Sequence, residues 1–125
     1  MHAPNSLGAE GEQLAARYLS GRGYRIITRN FRFLRNEIDI IATFGDMLCF
    51  IEVKTRASIE KGYPAEAVTP RKQKEIIRAA SGYLAGLEGP PPDCRFDVIA
   101  ILASRLDGER IVEYDLEHIE AAFMA

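Results

Sequence analysis

The sequence predicts an α/β fold, a mixed central β-sheet flanked by helices, in the order helix, three antiparallel strands, helix, strand, strand and a short closing helix. Three observations carry this. The stretches 6–22 and 70–87 repeat apolar residues at helical spacing. Runs at 24–29, 36–42 and 48–54 alternate β-branched or apolar residues with charged ones, which is the period of strands. The run 95–102 is apolar enough to be buried on both faces and follows the third strand through a helix. That order implies a right-handed crossover and parallel pairing.

In the first helix, Leu7, Gly11, Leu14, Tyr18 and Leu19 form the apolar stripe; Asn5 or Ser6 caps its start, and Gly21 and Gly23 punctuate its end. Glu12 lies beside the stripe, on the row of Gly8, Ala15 and Leu19, and taken alone reads as a solvated flank carboxylate. Strand 24–29 leads through 30–35 into the second strand, and Thr43, Phe44, Gly45 and Asp46 turn the chain into the third. Antiparallel pairing about that turn sets Asp39 roughly opposite Glu52. Glu52 and Lys54 then share a face while Val53 points the other way. Residues 57–64 read as a loop broken by Gly62 and Pro64, well placed to touch a substrate.

Thr69 and Pro70 open the second helix with a capping hydroxyl and a proline at its first position. Ile76, Ile77, Ala80, Tyr83, Leu84 and Leu87 make its apolar face, and Arg71, Lys72, Lys74 and Arg78 its basic one. Residues 89–93 turn the chain into the apolar strand, where Asp97 is expected to pair with Arg95 and to take no part in chemistry. Strand 110–114 and a short helix over 116–123 complete the chain, making His118, like His2, a surface residue.

The bulk numbers bound the class. At 125 residues, 1–125 makes one domain with a real core. Hydrophobic content of 47% with 27% charged residues is ordinary for a soluble protein. No apolar run could span a membrane, and the N-terminus lacks signal-peptide character, so a cytoplasmic location is expected. Cys49 and Cys94 show no CxxC spacing and read as buried thiols. The net charge of −2 conceals an asymmetry: residues 1–35 carry six arginines against two glutamates, and residues 79–125 nine acids against three bases. The basic segment suits a polyanionic partner; a solvated arginine surface accounts for the same charges equally well.

The chemistry concentrates at Asp39, Glu52 and Lys54. Like charges opposite one another on a sheet destabilise it, and unpaired buried charges are costly. Two carboxylates and an ammonium on strands this apolar suggest a divalent-cation site; ordinary outward-facing hairpin charges are the plainer alternative.

An acidic residue on one strand followed by Glu-x-Lys on the next resembles the pattern of the PD-(D/E)xK nucleases of restriction-endonuclease-like fold, and the element order resembles their core. The match extends to Gly11-Glu12-x-x-Ala15, Gly23-Tyr24, Arg29-Asn30, Glu37-Ile38-Asp39-Ile40-Ile41-Ala42, Phe50-Ile51-Glu52-Val53-Lys54-x-Arg56 and Arg95-Phe96-Asp97-Val98-Ile99-Ala100. Together these resemble the YraN-like bacterial proteins, small and mostly uncharacterised, which are similar to archaeal Holliday junction resolvases. The resemblance runs from about Gly8 to Ile119.

The resemblance implies Mg²⁺ or Mn²⁺ held by Asp39, Glu52 and the backbone carbonyl of Val53. It implies a metal-activated water, Lys54 stabilising the nucleophile or the developing charge, and Glu12 completing the acidic cluster. Arg29, Arg32, Arg56, Lys72 and Gln73 are the candidate substrate-binding residues, and Glu37 is expected to support Asp39. Three positions depart from the pattern: Ile38 stands where Pro is common, Asn36 where relatives often have Gly, and Ile77 where RecB-type relatives place Tyr after the glutamine. The implied function is a metal-dependent DNA nuclease, extending to branched DNA and compatible with a homodimer. The alternatives are a catalytically silent nucleic-acid-binding module of the same fold, and a protein-interaction subunit using the acidic C-terminal third.

Overall fold

The computed structural model describes residues 6–125; Asn5 as a cap and His2 as a surface residue lie outside them. Helix α1 (Leu7–Gly21) starts at Ser6, whose hydroxyl accepts from the Ala9 N–H at 3.0 Å. Three antiparallel strands follow, β1 (Arg25–Phe33), β2 (Asn36–Phe44) and β3 (Met47–Arg56). A short 3-10 helix (Pro64–Ala67) falls partly in the expected loop. Helix α2 (Pro70–Ala85) is capped as its sequence predicts, the Thr69 hydroxyl accepting from the Lys72 N–H at 3.2 Å. Strands β4 (Cys94–Asp107) and β5 (Arg110–Phe123) complete a five-stranded sheet in the order β1-β2-β3-β4-β5. β3 and β4 are parallel, as a crossover through α2 requires, and every other pair is antiparallel. Among the described residues, no helix is long and apolar enough to cross a membrane.

The sheet is buried on both faces, which is why its central strands are nearly all apolar. On one face, Ala15 and Leu19 of α1 pack on Ile40, Ile51, Val53, Ile99 and Ile101. On the other, Ile76, Ala79 and Ala80 of α2 pack on Ile41, Phe50, Phe96 and Val98. Gly11 sets how closely α1 approaches. A β-carbon there would stand 1.8 Å from the Thr55 Oγ1 and 2.8 Å from its Cβ, so only glycine admits this contact. That approach carries the next residue, Glu12, inward.

The C-terminal segment corrects the expected short helix: residues 116–123 continue β5. Leu116, Ile119, Ala122 and Phe123 repeat at helical spacing, yet the cause is an irregular strand. The four steps along β5 from Ile119 to Phe123 cover only two steps on β4, from Val98 to Phe96, and Ala121 adopts φ +49. Alternation alone turns Leu116 toward α1 and Ile119 and Phe123 toward α2, and the irregularity lets Ala122 join the α2 face. It also overturns the surface assignment of His118. That residue pairs with Ile99 of β4, and its side chain is buried against Asp97.

Candidate active site

β2 and β3 are laddered from Phe44↔Met47 to Ile40↔Ile51, and the next opposed pair would be Asp39 and Glu52. Beyond Ile40, β2 stays paired to β1 as far as Phe33↔Asn36, while β3 stays paired to β4 as far as Arg56↔Leu102. The two strands therefore fork at the acidic pair. Asp39 occupies the crotch. Its Oδ2 accepts the Val53 N–H at 2.8 Å, where a neighbouring strand's carbonyl would otherwise stand.

Glu52 is only 3% exposed. Burial, and then the charge and hydrogen bonding of the adjacent Asp39, push its carboxyl up to about 8, against the opposing pull of Lys72 and Lys54. Lys54 Nζ lies 3.6 Å from Glu52 Oε2, as the shared strand face predicts. Lys72 Nζ reaches the same oxygen at 3.7 Å from the first turn of α2, and sits 3.9 Å from Glu75 Oε2. Two ammoniums thus bracket one buried carboxylate. Both lysine side chains remain about a third exposed, so both can meet an incoming anion.

A second acidic pair lies alongside. Glu12 is buried rather than a solvated helix-flank residue, and the Asn30 side-chain amide donates to it at 2.9 Å and to Glu37 at 3.1 Å. Arg32 Nε approaches Glu37 Oε2 at 3.6 Å. Asn30 holds φ +53, a left-handed backbone that asparagine tolerates better than most residues, and this aims its amide between the two carboxylates. The Arg29-Asn30 motif by itself assigns Asn30 no role; a polar, left-handed-tolerant residue amid strand formers is the available signal.

Among the described residues, no three His, Cys, Asp or Glu side chains converge to hold a metal ion. Glu12, held by Asn30, is therefore not the third member of a tight cage with Asp39 and Glu52. The remaining candidates are engaged locally. Arg29 donates to Gln13 at 3.0 Å, Arg56 to the Lys61 carbonyl at 2.9 Å, and the Gln73 amide to the Val68 carbonyl at 3.2 Å. Of the five substrate-binding candidates, only Lys72 is brought against the central carboxylates.

Asp97 pairs with Arg95 as expected, through contacts of 2.9 and 2.8 Å, and also takes His118 Nε2 at 2.7 Å and the Ala121 N–H at 3.0 Å. Burial would raise its carboxyl, but the hydrogen bonds from His118, Arg95 and Ala121 outweigh burial and hold it below its usual value. This network fastens β5 to β4. Cys49 is a buried thiol, pushed up to about 11 by burial.

The model of the uncharacterised protein family UPF0102 matches residues 11–101, which include both acidic pairs and both lysines. A UPF0102 protein of Chlorobaculum parvum is 69% identical over 124 residues, covering 99% of this chain and 96% of the relative. One from Chlorobaculum tepidum is 65% identical over 124 residues, with the same coverage of 99% and 96%. A more distant one, from Symbiobacterium thermophilum, is 54% identical over 95 residues, covering 76% of this chain and 80% of the relative.

Proposed function

Because the chain belongs to the uncharacterised protein family UPF0102, a description that assigns no activity, we propose from its own side chains that it is a divalent-metal-dependent nuclease hydrolysing phosphodiester bonds in DNA. One observation carries the reading: a buried Asp39–Glu52 pair at a strand fork, with Lys54 and Lys72 facing it.

The donor set fits the cofactor. Two carboxylates forced together in a buried place, one of them pushed up by the other's charge, lose that repulsion when a cation sits between them. All the donors are oxygens, and two carboxylates with the Val53 carbonyl leave room for water, as Mg²⁺ prefers. Mg²⁺ or Mn²⁺ held by Asp39, Glu52 and Val53 would polarise a phosphoryl oxygen and make bound water a nucleophile at neutral pH.

The protein supplies the rest. The Val53 N–H fixes Asp39 in orientation, so one of its oxygens stays directed into the fork. Lys54, carried two residues from Glu52 on the same strand face, holds the negative charge of the attacking oxygen and of the phosphorane-like transition state. Lys72 comes from a different element and serves the phosphate from the helix side. Glu12 and Glu37, bridged by Asn30, add negative potential next to the pair and strengthen its hold on a cation.

Incubation of the pure protein with single-stranded, duplex and four-way-junction DNA in Mg²⁺ or Mn²⁺ tests the proposal. Cleavage should require the metal and vanish in Asp39→Ala. Absence of product, or equal cleavage by that variant, refutes it. Binding that weakens with salt, ignores divalent ions and gives no product would support the silent binding module instead.

A further inference from the structure

Leu34 and Arg35 form the two-residue turn that closes β1 on β2 across Phe33↔Asn36. Leu34 is 80% exposed and holds φ +58, in the left-handed region. A bulky apolar side chain is doubly out of place there. Glycine or asparagine would relax the backbone, and either would suit water better. Among the described residues, Leu34 belongs to neither core cluster, and backbone strain of this kind gathers at functional positions.

The surroundings say what it meets. Between this turn and α2 lies a groove of about 560 Å³, lined by Leu34, Arg35, Asn36, Glu75 and Arg78. Glu75 is its acid, and that charge is turned toward Lys72 and Arg71. Lys72 in turn contacts Glu52, so a chain of ion pairs links the groove's Glu75 to the central carboxylates. An apolar projection flanked by two arginines, leading to a phosphodiester-cleaving site, matches a polyanion with flat apolar faces along its length. A DNA strand is such a molecule.

We infer that Leu34 is a wedge inserted between two bases of DNA lying in this groove, with Arg35 and Arg78 on the flanking phosphates. Unstacking one step kinks the strand and turns the adjoining phosphate toward Asp39 and Glu52. This rests on the nuclease reading for its substrate, but it specifies how that substrate is gripped, which the carboxylates do not.

Fluorescence of 2-aminopurine placed at successive positions in duplex and four-way-junction DNA tests the inference. In EDTA no cleavage interferes. Wild type should raise the emission several-fold at one step, and Leu34→Gly should abolish the rise. Since glycine accepts φ +58 freely, that variant keeps its fold, with a melting temperature no lower than wild type. The salt slope of its affinity should be unchanged, whereas Arg35→Ala and Arg78→Ala should each lower the slope by about 1. Binding by wild type without any emission rise, or a rise retained in Leu34→Gly, overturns the wedge and leaves the nuclease reading intact. Failure of wild type to bind any of these DNAs overturns both.

Discussion

Replacing Glu52 by Gln asks whether the acidic pair is held together against its own charge. Glu52 is 3% exposed, and burial and then Asp39 push its carboxyl from 4.5 up to about 8. A carboxyl raised in the folded state contributes stability that is fully present below its unfolded value and is lost as pH rises through its folded value. For Glu52 that window runs from 4.5 to about 8. Above it, folding buries a charge that water would hold more comfortably. At ~1.4 kcal/mol per unit, the ceiling on this cost is on the order of 5 kcal/mol. Glutamine removes the cost but leaves Lys54 and Lys72 without their carboxylate, a loss of roughly 0–1 kcal/mol for each partly solvated ammonium.

The net expectation is that Glu52→Gln stabilises the metal-free protein by about 1–3 kcal/mol at about pH 9, with the gain shrinking toward zero near pH ~4.5. Urea unfolding in EDTA at the two pH values reads it directly. Mn²⁺ supplied at about a hundredfold excess over its dissociation constant should then stabilise wild type by about 2.7 kcal/mol and the variant hardly at all. A variant no more stable than wild type at alkaline pH, or a gain indifferent to acid, would refute the idea of a strained pair awaiting a cation.

Four further outcomes are expected. Arg95→Met leaves the fully buried Asp97 without its guanidinium and should cost about 3–5 kcal/mol in urea unfolding. Because the Asp97 carboxyl is held below its usual value, its contribution is lost as pH falls below 3.8, and Asp97→Asn should flatten that acid limb of the stability curve. Gly11→Ala improves helix propensity by about 1 kcal/mol, yet it drives a β-carbon to 1.8 Å from the Thr55 Oγ1. Overpacking should win by roughly 1–3 kcal/mol, and a melting temperature equal to or above wild type would contradict the close docking of α1. Lys72→Met should slow cleavage about 10²-fold while keeping the Mn²⁺-induced rise in melting temperature; loss of that rise would reassign Lys72 to the metal site.

The fold and the carboxylate pair of the candidate site are legible because both rest on short-range patterns. Alternation over 36–42 and 48–54 with a Gly45 turn between them is enough to set Asp39 roughly opposite Glu52, and the ladder runs up to Ile40↔Ile51, the pair just before them. The Thr69-Pro70 start likewise marks α2 from local chemistry alone. What failed was long-range. The irregularity of β5 at Ala121 mimics helical spacing, and the residue it is hydrogen-bonded to, Asp97, lies 24 positions away. His118 was misread for the same reason: nothing nearby in sequence says that Asp97 and Tyr18 will flank it. The charge of Lys72 is plain in the sequence, but its place at Glu52 depends on how α2 crosses the sheet, and no periodicity encodes that.

The fork between β2 and β3 has a mechanical consequence. Asp39 belongs to the β1–β2 half of the sheet and Glu52 to the β3–β4–β5 half, and beyond Ile40↔Ile51 no ladder ties one to the other. The span between the two carboxylates is therefore set by the opening angle of two semi-rigid plates, much as the jaws of a caliper are set by its pivot. The Asp39–Val53 hydrogen bond acts as the detent that keeps the jaws nearly shut. A small twist at the pivot changes the gap most at the tips. Hydrogen exchange at the Val53 amide would report that motion from a single proton, and a cation gripped by both plates would slow it.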